Sequence, residues 1–227
     1  MKDFIIVAID GVAASGKSTA AARLAEKFSY LNVNTGNHYR ALTVLLIKNG
    51  SGYGDPLDDF LDSCLVDAKI NGNFLDMVIN GMAAEQLDIR SNLINANVSA
   101  FAQNESLRKF LKKYQRGLVK VAQQNGFPGM VMEGRDIGSV VFPEADFKFF
   151  LTANREVRLN RCANDHRTDD ICLRDNVDSS LISLIKDAVE INTTAQNVDQ
   201  VVAFMAKIIL SDKPTANARG LGSMFPH

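Results

Sequence analysis

A run of apolar, mostly β-branched residues, Phe4-Ile5-Ile6-Val7-Ala8-Ile9, leads through Asp10 into Gly11-x4-Gly16-Lys17-Ser18, and nothing else in the chain restricts its fold as tightly. The run does not alternate between apolar and polar residues, so it suits a strand buried on both faces of a parallel sheet. Ala22, Leu24, Ala25 and Phe28 follow at helical spacing. A strand, a glycine-rich turn and a helix in that order give the full Walker A pattern in the context that gives it meaning. The glycines let the backbone wrap a phosphate chain, and the helix N-terminus adds partial positive charge. Gly11, Ala13, Ala14, Ser15, Gly16, Lys17, Ser18 and Thr19 are therefore the candidate phosphate loop. Lys17 can reach β- and γ-phosphates and Ser18 can hold Mg²⁺. Asp10 admits three readings: it holds the shape of the loop, it helps order water on Mg²⁺, or it has a simple structural role.

The rest of the chain continues the alternation of strands and helices. Leu31 to Asn34 reads as a short strand, and a helix beginning near Thr35 ends before Asn49-Gly50. Helical patterns from Asn92 to Gln124 break near Asn104, and Met130–Glu133, Phe147–Leu151 and Val189–Ile191 read as buried strands. Val198 to Leu210 is the last helix. Between these, 51–90 changes character: Asn71-Gly72 and Asn80-Gly81 are hairpin signals flanking Phe74 to Ile79. That segment is expected to pack as a separate small antiparallel unit. The class is α/β, a P-loop NTPase-like parallel sheet flanked by helices. Residues 1–50 and 91–210 form the core, 51–90 the insert, and 211–227 a tail that reads as mobile.

Composition excludes several roles. With 25 basic and 26 acidic residues the net charge is -1, which leaves no overall footprint for nucleic acid or an anionic membrane. The six-residue apolar run at the N-terminus is too short for a membrane span or signal core. Cys64, Cys162 and Cys172 form no close pair and read as reduced thiols. The expectation is a cytoplasmic monomer whose partners are small molecules.

Beyond the second strand lies Asn34-Thr35-Gly36-Asn37-His38-Tyr39-Arg40, and a later strand leads into Glu133-Gly134-Arg135-Asp136-Ile137-Gly138-Ser139-Val140-Val141-Phe142-Pro143. Ser99 and Arg108 fall in the helical region between, with Gln115-Arg116 further on. From Phe4 to Ala206 these motifs run collinear with, and together resemble, the bacterial cytidylate kinases, members of the nucleoside monophosphate kinases. The resemblance implies transfer of a phosphoryl group from ATP, with Mg²⁺, to CMP and dCMP. It implies an insert that grips the monophosphate and a lid at about 164–187. Carried over, Arg40 and Arg135 lie on the acceptor's phosphate; Thr35 and Tyr39 belong to the same acceptor site, Tyr39 as packing beneath it rather than in the chemistry. Ser99, Arg108 and Asp136 read the cytosine edge. Arg174 and Asp178 are lid contacts to the acceptor's phosphate or sugar, and Arg158 and Arg161 start the lid beside ATP. Lys17, Arg135 and Arg174 make up the catalytic set.

These roles fit elementary chemistry. Phosphoryl transfer is mostly positioning and charge neutralisation, and guanidinium groups supply planar bidentate contacts to phosphate. Cytosine offers an N4 amino donor where uracil offers a carbonyl, so a carboxylate at Asp136 selects between them. Glu133, at a strand end, either holds Mg²⁺ through water or caps the next turn. His38 reads as a passive neighbour, since an ionised phosphate needs no general base.

The lid departs from the family pattern. Twelve residues, Cys162 to Leu173, separate Arg161 from Arg174, where the family carries a longer segment. Leu181 stands where the pattern has another arginine, and Ser183-Leu184 replaces a Pro-Leu pair. Two alternatives follow: a P-loop kinase for another small acceptor, or a nucleotide-binding protein with a degraded lid and little activity.

Overall fold

The computed structural model describes residues 4–163 and 187–211, so Arg174, Asp178 and Leu181 of the expected lid, and nearly all of the tail, lie outside the described residues. β1 (Ile5–Gly11) is followed by α1 (Lys17–Phe28), β2 (Leu31–Asn34) and α2 (Thr35–Lys48). The insert supplies α3 (Asp58–Ser63), β3 (Val66–Asn71), β4 (Phe74–Ile79) and β5 (Met82–Ala83). Helices α4 (Asn92–Phe101) and α5 (Glu105–Gln124) lead to β6 (Gly129–Glu133) and a five-residue π-type turn, Ile137–Val141. β7 (Phe147–Thr152), α6 (Arg155–Ala163), β8 (Val189–Asn192) and α7 (Val198–Leu210) follow among the described residues.

The strands lie in the order β3-β4-β2-β6-β1-β7-β8, with β5 paired to β4. From β2 to β8 every pairing is parallel, with Val7 opposite both Val131 and Phe147. The non-alternating run of β1 is explained by what covers it. Val7 and Ile9 face a cluster with Leu24 and Ala21 of α1 and Met205 of α7, while Ala8 faces Leu118 and Ala122 of α5. Each fully buried Leu contributes about 1.5–3 kcal/mol, so two apolar faces on one strand commit it to the sheet centre.

Helix boundaries follow local chemistry. The Asn34 side chain accepts the Asn37 N–H at 3.1 Å and starts α2 directly from β2. Asn104 caps α5 by accepting from the Leu107 N–H at 3.2 Å, which is why the long helical pattern breaks there. Along α5 the buried positions Leu107, Leu111, Gln115, Leu118 and Ala122 keep the three-to-four spacing of one helical face.

The insert differs from expectation in two ways. The first hairpin turns at Gly72-Asn73, because Asn71 already pairs with Phe74; the second turns at Asn80-Gly81, where φ is 50° and 80°. Positive φ at both central residues is what an Asn-Gly turn of the hairpin type requires. The insert is also not a separate packing unit. β4 runs parallel to β2, with Asn32 opposite Phe74 and Val33 opposite Leu75, so the hairpin widens the central sheet. β2 would otherwise leave an edge of unpaired backbone groups. Met77 and Ile79 are fully buried in a cluster with Leu42 of α2, Ile94 of α4 and Leu111 of α5. The insert thus shares its core with the helices that carry the acceptor-side residues.

Candidate active site

The loop after β1 departs from the sheet at Gly11, whose φ is 147°. A Cβ there would stand 2.1 Å from the Leu151 carbonyl oxygen, so only glycine lets β1 leave the sheet beside β7. The Lys17 ammonium donates to the Val12 carbonyl at 2.7 Å, and the Ser15 hydroxyl donates to the same oxygen at 2.9 Å. The loop is held from behind. Arg158 donates to Ala13 O at 3.5 Å, Arg161 to Ala14 O at 3.3 Å, and the Thr193 hydroxyl lies 2.9 Å from Ser15 O. These contacts occupy carbonyls of the loop.

Ser18 and Glu133 meet at the junction of α1 and β6. The Ser18 hydroxyl donates to Glu133 Oε1 at 2.6 Å, and Glu133 is only 5% exposed. Burial pushes its carboxyl above the usual carboxylate range, opposed by Lys17, by the Ser18 hydrogen bond and by Arg135 and Arg90. The carboxylate therefore turns to Ser18 rather than capping the next turn. That capping falls to Asp10. Its two oxygens accept the Ile137 and Gly138 N–H groups at 2.8 and 2.7 Å. Burial lifts the Asp10 carboxyl to about 6 even though both N–H groups favour the ionised form. This is a structural role, one of the three readings of Asp10, but the sequence did not say which backbone it would hold, because the contact joins residues 127 and 128 positions apart.

On the other side, Thr35 donates its hydroxyl to Glu133 O at 2.9 Å, tying the start of α2 to the end of β6. Arg40 is buried and donates to Ile89 O at 2.9 Å and to Asn95 Oδ1 at 2.6 Å. Arg108 of α5 donates to Asp136 Oδ2 at 2.6 Å, and their side chains are 42% and 15% exposed. Tyr39 stands beside this pair. Burial first, and then the Asp136 charge, push its hydroxyl up to about 12, so it stays protonated and able to donate. His38, by contrast, is enclosed: burial lowers its imidazole to about 3 and keeps it out of the site chemistry.

One cavity of about 980 Å³ collects these groups. Ala13, Ala14, Ser15, Gly16, Lys17, Ser18 and Thr19 line one end; Thr35, Tyr39, Arg40, Ser99, Arg108, Arg135 and Asp136 line the other; Glu133 lies among them. Arg161 also lines it, whereas Arg158 and Gly11 do not and support the loop from behind. Asn34, Asn37, Arg90, Gln103, Thr193 and Gln196 line the cavity without having been legible as site residues. For Thr193 and Gln196 the position just past a C-terminal strand end was the available signal. Among the described residues no group of three His, Cys, Asp or Glu could hold a metal, and no helix is long and apolar enough to cross a membrane.

A parallel sheet with a phosphate loop after its central strand, and arginines facing that loop across one cavity, defines a P-loop phosphotransferase. The cytidylate kinase family model matches residues 7–211. The chain is 34% identical over 224 residues to a cytidylate kinase of Clostridium botulinum (strain Okra / Type B1), covering 92% of this chain and 99% of that one. To a cytidylate kinase of Anoxybacillus flavithermus (strain DSM 21510 / WK1) it is 36% identical over 219 residues, covering 89% and 94%. A Thermus thermophilus crystal structure at 17% identity shares the fold, with a TM-score of 0.53 over 92% of this chain and 98% of that one. The chain belongs to the cytidylate kinase family. It is a nucleoside monophosphate kinase.

Proposed function

We propose that this protein transfers the γ-phosphoryl group of ATP to CMP and dCMP, giving CDP and dCDP. The observation that carries the base assignment is the Arg108–Asp136 pair, 2.6 Å apart in the cavity that the phosphate loop lines. Asp136 keeps a carboxylate oxygen available to accept from the cytosine N4 amino group, while Arg108 and Ser99 can donate to N3 and O2. Uracil would set its O4 acceptor against the Asp136 carboxylate, leaving two buried acceptors without a donor between them.

The acceptor phosphate is already ionised, so the reaction asks the protein for charge and alignment rather than for a base. Lys17 at one end and Arg40 and Arg135 at the other would neutralise the charge that spreads over the transferred group. Tyr39 and Thr35 would fix the acceptor between them. Arg161, bonded to the loop, keeps its shape beside ATP. The residues present suit Mg²⁺. Ser18 and Glu133 are paired hard oxygen donors next to the phosphate loop, and the ATP phosphates would supply further ligands. Held by Ser18 and Glu133, Mg²⁺ would supply charge neutralisation to the phosphates during transfer. Residues 51–90 would help grip the monophosphate, and Arg174 and Asp178 would close over it from a lid at about 164–187.

Single-turnover transfer from ATP to a panel of CMP, dCMP, UMP, AMP and GMP tests this. CMP and dCMP should react fastest. Preference for AMP or GMP, or transfer to none of them, would overturn the assignment.

A further inference from the structure

Helix α5 carries a basic stripe that phosphoryl transfer does not use. Lys109, Lys112, Lys113, Arg116 and Lys120 are all exposed. At 3.6 residues per turn they fall within an arc of about 100°, along about 16 Å of helix. Leu107, Leu111, Leu118 and Ala122 are buried on the opposite side. Glu105, in the first turn, is the one acidic residue of the helix. Arg116 is held by Glu144 and by the Val141 carbonyl. Among the described residues the four lysines have no ion-pair partner.

The opposite charge stands beside this stripe. Between Lys48 and Lys69 the chain has five aspartates, Asp55, Asp58, Asp59, Asp62 and Asp67, and no lysine or arginine. All five are exposed, and none is ion-paired among the described residues. Asp58, Asp59 and Asp62 belong to α3, which packs on α5. The Ser106 hydroxyl of α5 donates to Asp58 Oδ2 at 2.9 Å. Leu57 and Leu61 share a buried cluster with Leu107 and Leu111, so both helices turn their apolar sides inward and their charges to solvent. Within each patch like charges repel: Lys109 and Lys113 stand four residues apart on their helix, and so do Asp58 and Asp62 on theirs. Tyr53 and Leu65, 60% and 78% exposed, flank the acidic segment.

We propose that this face is a two-fold interface between copies of this chain, the α3 segment of each seated on the α5 stripe of the other. A two-fold axis between adjacent patches of opposite sign makes a surface complementary to itself. Each lysine stripe then meets carboxylates that it does not pair with in its own chain, and Tyr53 and Leu65 add apolar area. A long polyanion fits this face less well, because one that follows α5 to its N-terminal end runs onto Asp58. None of the four lysines or five aspartates lines the nucleotide cavity, so the interface is separate from the site. Charge pairs at an accessible surface each contribute little, which makes the dimer weak and salt-sensitive. Composition pointed to a monomer because the two patches cancel within a net charge of -1.

The test is sedimentation equilibrium of the full chain over a concentration series. It is run at about 10 mM and about 1 M salt, where the screening length falls from roughly 30 Å to roughly 3 Å. The mass should rise toward that of a dimer at low salt and return to that of a monomer at high salt. Two double variants reverse one patch each: Lys112→Glu with Lys113→Glu, and Asp58→Lys with Asp59→Lys. Each alone should weaken association roughly tenfold or more at low salt, because like charges then face each other. Mixed in equal amounts they should form a one-to-one dimer tighter than the parent's, since one chain then carries two acidic patches and the other two basic ones. Thermal midpoints near the parent's show that the variants fold. If a reversal lowers the midpoint, Lys112→Gln with Lys113→Gln and Asp58→Asn with Asp59→Asn take its place, each weakening association. A parent that stays monomeric at every concentration at low salt would overturn the proposal. So would variants that associate as tightly as the parent, a reversed mixture that forms no dimer, or masses that climb past the dimer. A monomeric parent that binds an oligouridine RNA through these lysines would overturn it and assign the stripe to a polyanion.

Discussion

Replacing Asp136 by Asn keeps the side chain's size and exchanges one carboxylate oxygen for an amino group. The remaining carbonyl can still accept from Arg108, which in the parent donates to Asp136 Oδ2 at 2.6 Å. The new amino group then faces the base. Against cytosine, donor meets donor and the charged hydrogen bond to N4 is lost; against uracil, the amino group finds the O4 acceptor. Asp136 is only 15% exposed, so solvent does little to soften the mismatch, but Arg108 is 42% exposed and its share must be discounted. A hydrogen bond to a charged group contributes about 1.5–3 kcal/mol, and the lower part of any added gain for uracil offsets that discount. The CMP-to-UMP ratio of kcat/KM should therefore fall roughly ten- to a hundredfold. The assay is competition between CMP and UMP for limiting ATP, with both products resolved. Arg135→Gln is the control, because it should depress both substrates alike. If Asp136→Asn leaves the ratio untouched while CMP is still used, base reading lies elsewhere in the cavity.

Lys17→Ala should keep the fold and lower kcat by roughly a hundred- to a thousandfold or more, since it removes a cation from the transferred phosphate; turnover within a few-fold of the parent would show the loop is not catalytic. His38 is held neutral by burial, at about 3 in the folded chain against an ordinary 6.5. The unfolded chain takes up the proton first, so stability is lost as pH falls through 6.5 toward 3, by about 2 kcal/mol at pH 5 at roughly 1.4 kcal/mol per unit. His38→Leu should abolish that acid loss in urea titrations at pH 7.5 and pH 5; an unaltered difference between the two pH values would refute it. Asp10 works in the opposite sense, since burial raises it from 3.8 to about 6. The folded chain holds that proton more tightly, so stability falls as pH rises from about 4 to 6, by about 3 kcal/mol at most. Asp10→Asn should remove that slope, unmask the His38 trend, and raise KM for CMP more than KM for ATP by loosening the turn after Asp136. Equal changes in both KM values would show that Asp10 serves stability alone.

What the amino-acid order determined by itself was local. The unalternating run before Gly11, the spacing to Gly16-Lys17-Ser18 and the helical repeat after it required a buried parallel strand, a phosphate loop and a helix, because those periods and φ demands are set within some twenty residues. The break at Asn104 and the turn at Asn80-Gly81 were legible for the same reason: a cap and a hairpin are made by neighbours. The resemblance carried Arg108 and Asp136 to one site, but their 2.6 Å contact joins α5 to the turn after β6, and only the folded chain shows it. Tertiary structure alone decided that the insert hairpin would extend the central sheet, because the edge of β2 must find a partner. It alone turned Asp10 toward the Ile137–Gly138 backbone and Glu133 toward Ser18. It alone brought Arg90 into the cavity, on a loop pinned by Arg40. Such contacts join residues tens to more than a hundred positions apart, and no period or spacing along the chain encodes which buried donor will find which acceptor.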